Sequence, residues 1–490
     1  MPSLAVMQKT LSAVGAFNPR KLLGTGKLDG AWHDPSDLST MFQDSAGTTP
    51  VTGVEQPVGL HLDKSGGLQL GPDVSASLVP ANWSVAGEDG THIVTWIGGG
   101  GFRYQSDTTT PALSVVRAAA LTAGKFYKMV VTVTSYIGGS LKTDSFGDSR
   151  TIATGVGVFT TYGRASSTSL SLLRATTNVD ITVASVSVKE LPGYHATQSI
   201  TASRPTLSAR YNLLLNSATL SAQNVTTVAA QYTLSFTGTG TVTLSGTATG
   251  SLVGTGVSDR VSLAFTSTAG TLTLTVTGSV TLAMLNLGAS AMTYQAITTA
   301  TSYDSNPALF PYFLRYDGID DYMNLPYMGL YASGAASVVM GVKSSIAAAA
   351  RQFVVEGNSL NNTPIYTLVR SSTGTELNTR IRDDAGLIVS TTDIPSVFGD
   401  GVVKIVAMLD TGSSINPFVN SSVKSISPYT RSTTTLNNTT VGAYVSLAGV
   451  ANYTEMSCYG SIIVKGAALT DKQRKLCEQY LARKTGVALQ

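Results

Sequence analysis

The chain has 490 residues, a net charge of +3 and charged residues at only 12%, where typical soluble domains hold roughly 25%. Ser, Thr and 48 Gly stand where Lys and Glu usually do, and a balance this near neutral, with no Lys/Arg run, gives no argument for nucleic acid. No apolar run approaches the length of a membrane span, and two cysteines make no disulfide framework.

In chain order, Leu4, Met7, Leu11 and Val14 fall at helical spacing and predict a short N-terminal helix. Gln8 and Lys9 interrupt the apolar content of this stretch, so no secretory signal is expected. Residues 21–67 are rich in Gly, Asp and Pro and follow no periodicity. A segment of this kind cannot build its own core. It reads either as an ordered linker or as an N-terminal docking arm, residues 1–67, that lies against something else.

Period-two alternation begins after that. Between 68 and 193, Phe126–Val133, Gly155–Phe159, Ser169–Leu173 and Asp180–Val188 alternate apolar and polar residues with turn residues between them, the pattern of an antiparallel sandwich. Residues 194–211 form a connector. From 212 to 296 the alternation is of apolar residues with Ser and Thr, as in Tyr232-Thr-Leu-Ser-Phe236 and Leu272-Thr-Leu-Thr-Val276. Gly278-Ser279 between Val276 and Val280 predicts a two-residue hairpin turn. The two domains share enough of their pattern to suggest two copies of one architecture.

A third domain, 297–490, has strand-like runs at 338–342, 352–355, 402–409 and 460–464, then changes period. Leu469, Leu476, Cys477, Tyr480 and Leu481 recur at helical spacing, Thr470 and Gln473 make a capping box, and Gly486 is placed as the C-cap. The fold class is therefore all-β: tandem antiparallel β-sandwiches, an irregular N-terminal arm and one C-terminal helix. Cys458 and Cys477 read as two buried free thiols in preference to a bridge.

Three groups of residues are candidates for function. Trp83, Trp96 and Tyr104, with Phe102 and Tyr136 nearby, could form an aromatic platform for sugar rings, or fill a sandwich core. Asn361, Asn362 and Asn416 fall in Asn/Ser/Gly-rich inter-strand segments, which suit either recognition or plain turns. Asp317, Asp320 and Asp321 lie within five residues and could hold Ca²⁺ through hard oxygen ligands, or cap a tight turn at Asp317-Gly318. Catalysis has weaker material. No paired-carboxylate motif is present, His33, His61, His92 and His195 are scattered across loops and domain edges, and no phosphate-binding Gly loop ends in Lys-Ser/Thr. No enzyme is expected.

Several stretches resemble known families. Asp34-Pro-Ser-Asp-Leu-Ser-Thr-Met-Phe-Gln-Asp44 with Val58-Gly-Leu-His-Leu-Asp-Lys-Ser65 resembles an N-terminal region of tailed-bacteriophage structural proteins. Tyr232-Thr-Leu-Ser-Phe-Thr-Gly-Thr-Gly240, Leu252-Val-Gly-Thr-Gly256 and Leu287–Tyr294 look like the carbohydrate-binding-module-like jelly rolls of such proteins. Tyr316-Asp-Gly-Ile-Asp-Asp-Tyr322 with the closing Leu469–Leu476 helix is similar to concanavalin-like or laminin-G-like sandwiches. The resemblance implies a virion protein at the particle surface: a tail fibre or tail-tip adhesin binding host glycans, or a capsid decoration or head-fibre protein with an architectural role. It implies partners among other virion proteins through residues 1–67, and a homo-oligomer with a trimer favoured. In such proteins Arg204-Pro-x-Leu207 commonly leads almost directly into the Asp-Gly-x-Asp-Asp strand, so the second jelly roll reads as an insertion between them.

Overall fold

The computed structural model describes residues 17–490 apart from 25, 110–112, 177, 345–350, 372, 374 and 391–392; the N-terminal helix expected over 4–14 lies outside them. The chain forms two compact units. One holds residues 41–50 and 59–193; the other holds the remaining N-terminal residues, 51–58 and 194–490.

In the first unit two five-stranded antiparallel sheets face each other across a core built from Trp83, Phe102, Tyr104, Met129, Leu172 and Val183. The alternation read in the sequence appears directly: Phe126–Gly138 buries Met129, Val131 and Val133 while Lys128, Val130 and Thr132 stay partly exposed. Residues 41–50 and 59–62 pack on this sandwich. Met41–Phe42 pairs with Leu60–His61, and the Ala46 carbonyl accepts from Tyr162 N (2.7 Å) and Thr161 Oγ1 (3.0 Å). Gly47, at φ +67, presses against the Tyr162 ring, where no Cβ would fit.

In the second unit, residues 212–296 form a four-stranded sheet packed on a three-stranded one around Leu234, Phe236, Leu244 and Leu274. Its strands match the first sandwich one for one. Gln223–Thr227, Ala230–Gly238, Thr241–Gly246, Gly250–Val253, Gly256–Ser267, Gly270–Thr277 and Val280–Leu287 pair in the same order as Ser114–Arg117, Phe126–Gly138, Leu141–Thr143, Arg150–Ala153, Gly157–Arg164, Leu170–Arg174 and Val179–Glu190. The first sandwich adds three strands to this common plan, Ser84–Ala86 beside Ser114–Arg117, and Phe102–Ser106 followed by Ile93–Trp96 beside Val179–Glu190.

Small contacts repeat as well. At the entry to each sandwich a short polar side chain accepts from the residue two ahead and from the last strand. Asp73 Oδ1 takes Ser75 N (3.0 Å) and Val188 N (3.1 Å), and Asn212 Oδ1 takes Leu214 N (3.1 Å) and Leu285 N (3.0 Å). The following residues donate to the same strand positions, Val74 N to Val188 O and Leu213 N to Leu285 O. Tyr127 and Tyr232 hydroxyls each accept from a backbone N–H of the loop before their strand, Thr122 N and Val228 N, both at 2.9 Å.

The hairpin expected at Gly278-Ser279 is not one. Gly278 does adopt φ +72, but Gly270–Thr277 belongs to the four-stranded sheet and Val280–Leu287 pairs with Ala230–Gly238 in the other. The chain crosses between sheets there, and Ser279 O accepts from Gly240 N (2.7 Å) across the gap.

The rest of the second unit is a larger two-sheet sandwich with one helix. Its buried central strand Glu455–Lys465 pairs with Ala336–Lys343, Phe313–Asp317 and Asp29–His33. The facing sheet runs through Met323–Leu325, Asn438–Val441, Arg351–Gly357, Ile365–Ser371 and Asn378–Arg382. Thr206–Ser208 pairs antiparallel with Phe313–Asp317, with Ser208 opposite Phe313. The polypeptide therefore leaves this sheet after 208, builds the second jelly roll, and returns to the adjoining strand.

Part of the segment expected as an arm, 1–67, does not stand apart from a sandwich. Asp29–His33 is a full strand of the C-terminal sandwich, so His33 lies in a strand and not in a loop outside it. Asp34 fastens it to the last helix: its carboxylate accepts from Tyr480 Oη (2.8 Å) and pairs with Lys484, while Trp32 meets Tyr480 edge-on at 5.7 Å. Helix Asp471–Thr485 has the expected capping box from Thr470 and Gln473 and a left-handed C-cap at Gly486. Cys458 and Cys477 are both free and buried, and burial pushes their thiols up to about 11 and about 12.

Candidate functional site

The aromatic platform does not form. Trp83 and Tyr104 lie in the core of the first sandwich, 3% and 0% exposed, and the Tyr104 hydroxyl donates to Leu113 O (2.5 Å). Trp96 is half-buried, edge-on to the buried Phe102 at 5.5 Å. These rings supply apolar volume that a two-sheet core needs, and Tyr136, 39% exposed, is the most open of them. His92 Nδ1 lies 3.0 Å from Ser106 Oγ, and its Nε2 lies 3.8 Å from Asp107. Both His92 and Ser106 are buried, so this Ser–His–Asp grouping ties loops together and gives a substrate no access.

The asparagines divide. Asn416 lies within the strand Ser414–Val419, opposite Leu409, and accepts from Ser414 Oγ (3.2 Å). Asn361 and Asn362 lie on the turn before Ile365–Ser371, in the facing sheet. Asn362 ties its own turn to the turn at Ala448 and to the end of the strand Asn378–Arg382. Its Oδ1 accepts from Ala448 N (2.7 Å) and its carbonyl accepts from Arg382 Nη2 (2.7 Å). Nearby, Asn437 Oδ1 takes Ser359 N (2.9 Å). Held in this way, the loops still present Leu360, Leu387 and Leu447, at 77%, 67% and 60% exposed. Sequence reasoning found the asparagines but missed these leucines; an apolar residue inside an Asn/Ser/Gly turn was the available signal.

The three aspartates do converge: their carboxylate oxygens lie within 4.8 Å of one another. Asp317 Oδ1 caps Ile319 N (2.8 Å) and Asp321 Oδ2 accepts from Asp317 N (3.0 Å). Burial, with the Asp317 charge beside it, pushes the Asp321 carboxyl up to about 7. A hard cation with oxygen ligands at about 2.3–2.6 Å would fit these donors, and the turn-capping bonds are there without one.

Two features have no sequence signature. Asp410 is buried and accepts from Tyr366 Oη, Tyr429 Oη and Arg431 Nη2, each at 2.8 Å, with Arg431 stacked 4.2 Å over Tyr331. And a cavity of about 410 Å³ opens where the second jelly roll meets the C-terminal sandwich, with Lys343, Tyr459, Arg210 and Leu287 in its wall.

No protein-family model and no curated relative matches the chain. Among solved structures it is similar to the CBM40 of the Ruminococcus gnavus IT-sialidase bound to alpha2,3 sialyllactose, at 15% identity and TM-score 0.27 over 34% of this chain and 91% of that one. It is also similar to the NanB sialidase from Streptococcus pneumoniae, at 15% identity and TM-score 0.25 over 28% and 23%, and to the leech intramolecular trans-sialidase, at 16% and 0.26 over 33% and 25%. At these scores no residue role is carried across.

Proposed function

We propose that the chain is an adhesive structural protein of a phage particle, touching host-surface glycans through the end of its C-terminal sandwich. The phage assignment rests on the sequence resemblances. The observation that carries adhesion is the loop cluster around Asn362, whose hydrogen bonds fix its shape before any ligand arrives. Such preorganisation lowers the cost of binding, and the exposed leucines beside Asn361 offer both apolar and amide contacts. Individual contacts of this size are weak, and adhesion comes from many copies at high effective concentration, in a homo-oligomer for which a trimer is the first arrangement to test by light scattering.

The full-length protein is the right reagent, because strands 29–33 and 206–208 complete the sandwich. Leu360→Ala with Asn361→Ala should lower binding to host cells, or to a glycan array that includes sialyllactose, by about tenfold with no change in melting temperature. Unaltered binding sinks the reading. The architectural rival has its own support: Ile137 and Val158, at 70% and 68% exposed, sit on neighbouring strands of the first sandwich, and Val156, at 65%, lies in the bend just before the second of them, as a surface that cements a neighbour would. Particles lacking the protein that still adsorb normally but break under osmotic shock would favour it.

A further inference from the structure

The 410 Å³ cavity between the second jelly roll and the C-terminal sandwich lies within the size range of small-molecule sites. Its wall is mostly apolar, from Leu213, Leu287, Met292, Val403 and Val487, yet it contains two cations. Among the described residues the Arg210 guanidinium donates to main-chain carbonyls alone, Asn212 O and Leu213 O, both at 3.1 Å. Lys343 ends its strand with the ammonium 5.6 Å over the Phe313 ring. Among the described residues neither has a carboxylate within ion-pairing distance, whereas Arg315, two residues beyond Phe313, is paired with Glu55 at 3.0 Å. A third group points the same way. Tyr459 is 2% exposed and lines the cavity, and its hydroxyl, which lies beside that of Tyr211, makes no hydrogen bond of ordinary geometry among the described residues. The Tyr211 hydroxyl beside it is donated to Pro311 O (2.7 Å).

Cations taken partly out of water with no carboxylate in contact, Glu455 and Glu55 acting on them only from a distance, and a buried hydroxyl without a well-formed hydrogen bond, are each costly. A ligand that supplied a negative group and a hydrogen-bonding atom would remove all three costs at once. We propose that this cavity binds a small amphipathic monoanion, its anionic group between Lys343 and Arg210, one polar atom on Tyr459 Oη, and its apolar body against Leu213, Leu287 and Met292. Burial also lowers the pKa of Lys343 and of Arg210, the direction an anion would reverse. The site goes beyond the adhesion reading and stands or falls independently of it.

Calorimetry on the full-length protein tests this with octanoate, octan-1-ol and glucuronate. Octanoate should bind saturably and at least tenfold more tightly than octanol. Lys343→Met should abolish that preference, and Tyr459→Phe should weaken octanoate severalfold. Val402→Trp, at a rim position already 41% exposed, should block entry without touching the core and covers the case in which Lys343→Met does not fold. No saturable octanoate binding, or binding unchanged in Lys343→Met and Val402→Trp, overturns the site. Glucuronate binding in place of octanoate overturns the apolar-body assignment.

Discussion

Asp410 and Asp44 illustrate two ways in which a carboxylate serves this fold. Asp410 is sealed inside the C-terminal sandwich and neutralised by Arg431. Removing one member of a buried pair leaves the other charge uncompensated, so Asp410→Ala should cost about 3–5 kcal/mol in urea unfolding. Asp44 sits in a turn of the first unit and accepts from Ala46 N, Thr48 N, Thr48 Oγ1 and Thr49 N. Burial alone would raise its pKa, but the hydrogen bonds from Thr48 and Thr49 outweigh it and the group titrates below the ordinary carboxylate range. A depressed pKa means that the folded state binds fewer protons than the unfolded one, so the stabilisation is present above the unfolded value and is lost as pH falls through the folded one. Asp44→Ala should therefore cost about 1–2 kcal/mol at pH 7, and the difference from wild type should shrink as the pH is taken down towards 3.

At the scale of elements, the two jelly rolls are one strand order filled by different side chains. Tyr127 and Tyr232 hold corresponding loops by one hydrogen bond each. Tyr127→Phe and Tyr232→Phe should lose about 1 kcal/mol apiece, measurable as similar shifts in the unfolding midpoint of each sandwich. A loss confined to one copy would show that in the other the backbone N–H left behind finds another acceptor. The C-terminal helix relies on its ends. Thr470 Oγ1 accepts from Gln473 N while Gln473 Oε1 accepts from Thr470 N, and Thr470→Ala should cost about 1 kcal/mol.

For the second unit as a whole, pairing contradicts the order of the chain. Asn212 N and Gln295 Oε1 are 2.9 Å apart, so the second jelly roll enters and leaves its host at one point. Replacing 213–294 by a short Gly-Ser link should leave a folded C-terminal sandwich with cooperative melting, since Thr206–Ser208 and Phe313–Asp317 already pair. Deleting 1–40 should do the opposite. It removes strand Asp29–His33 and the Asp34 contacts to Tyr480 and Lys484, and hydrogen exchange across 471–485 should accelerate by at least tenfold.

The sequence alone determined what depends on neighbours in the chain. Strands such as Phe126–Gly138, the capped helix at 471–485 and the buried thiols follow from period, capping and apolar character, which act over a few residues. The excursion of the second jelly roll was implied only by the family resemblance, in which Arg204-Pro-x-Leu207 leads almost directly into the Asp-Gly-x-Asp-Asp strand. Tertiary structure decided everything that depends on which sheet a strand joins. It made Gly278-Ser279 a crossing between sheets, turned Asp29–His33 from an arm into a strand, and drew Trp83 and Tyr104 inward, since an aromatic at a period-two position carries no mark of the side it will face. It also brought Arg210 to Lys343 and Tyr459 across a wide gap in the chain, because a cavity belongs to surfaces that only packing brings together.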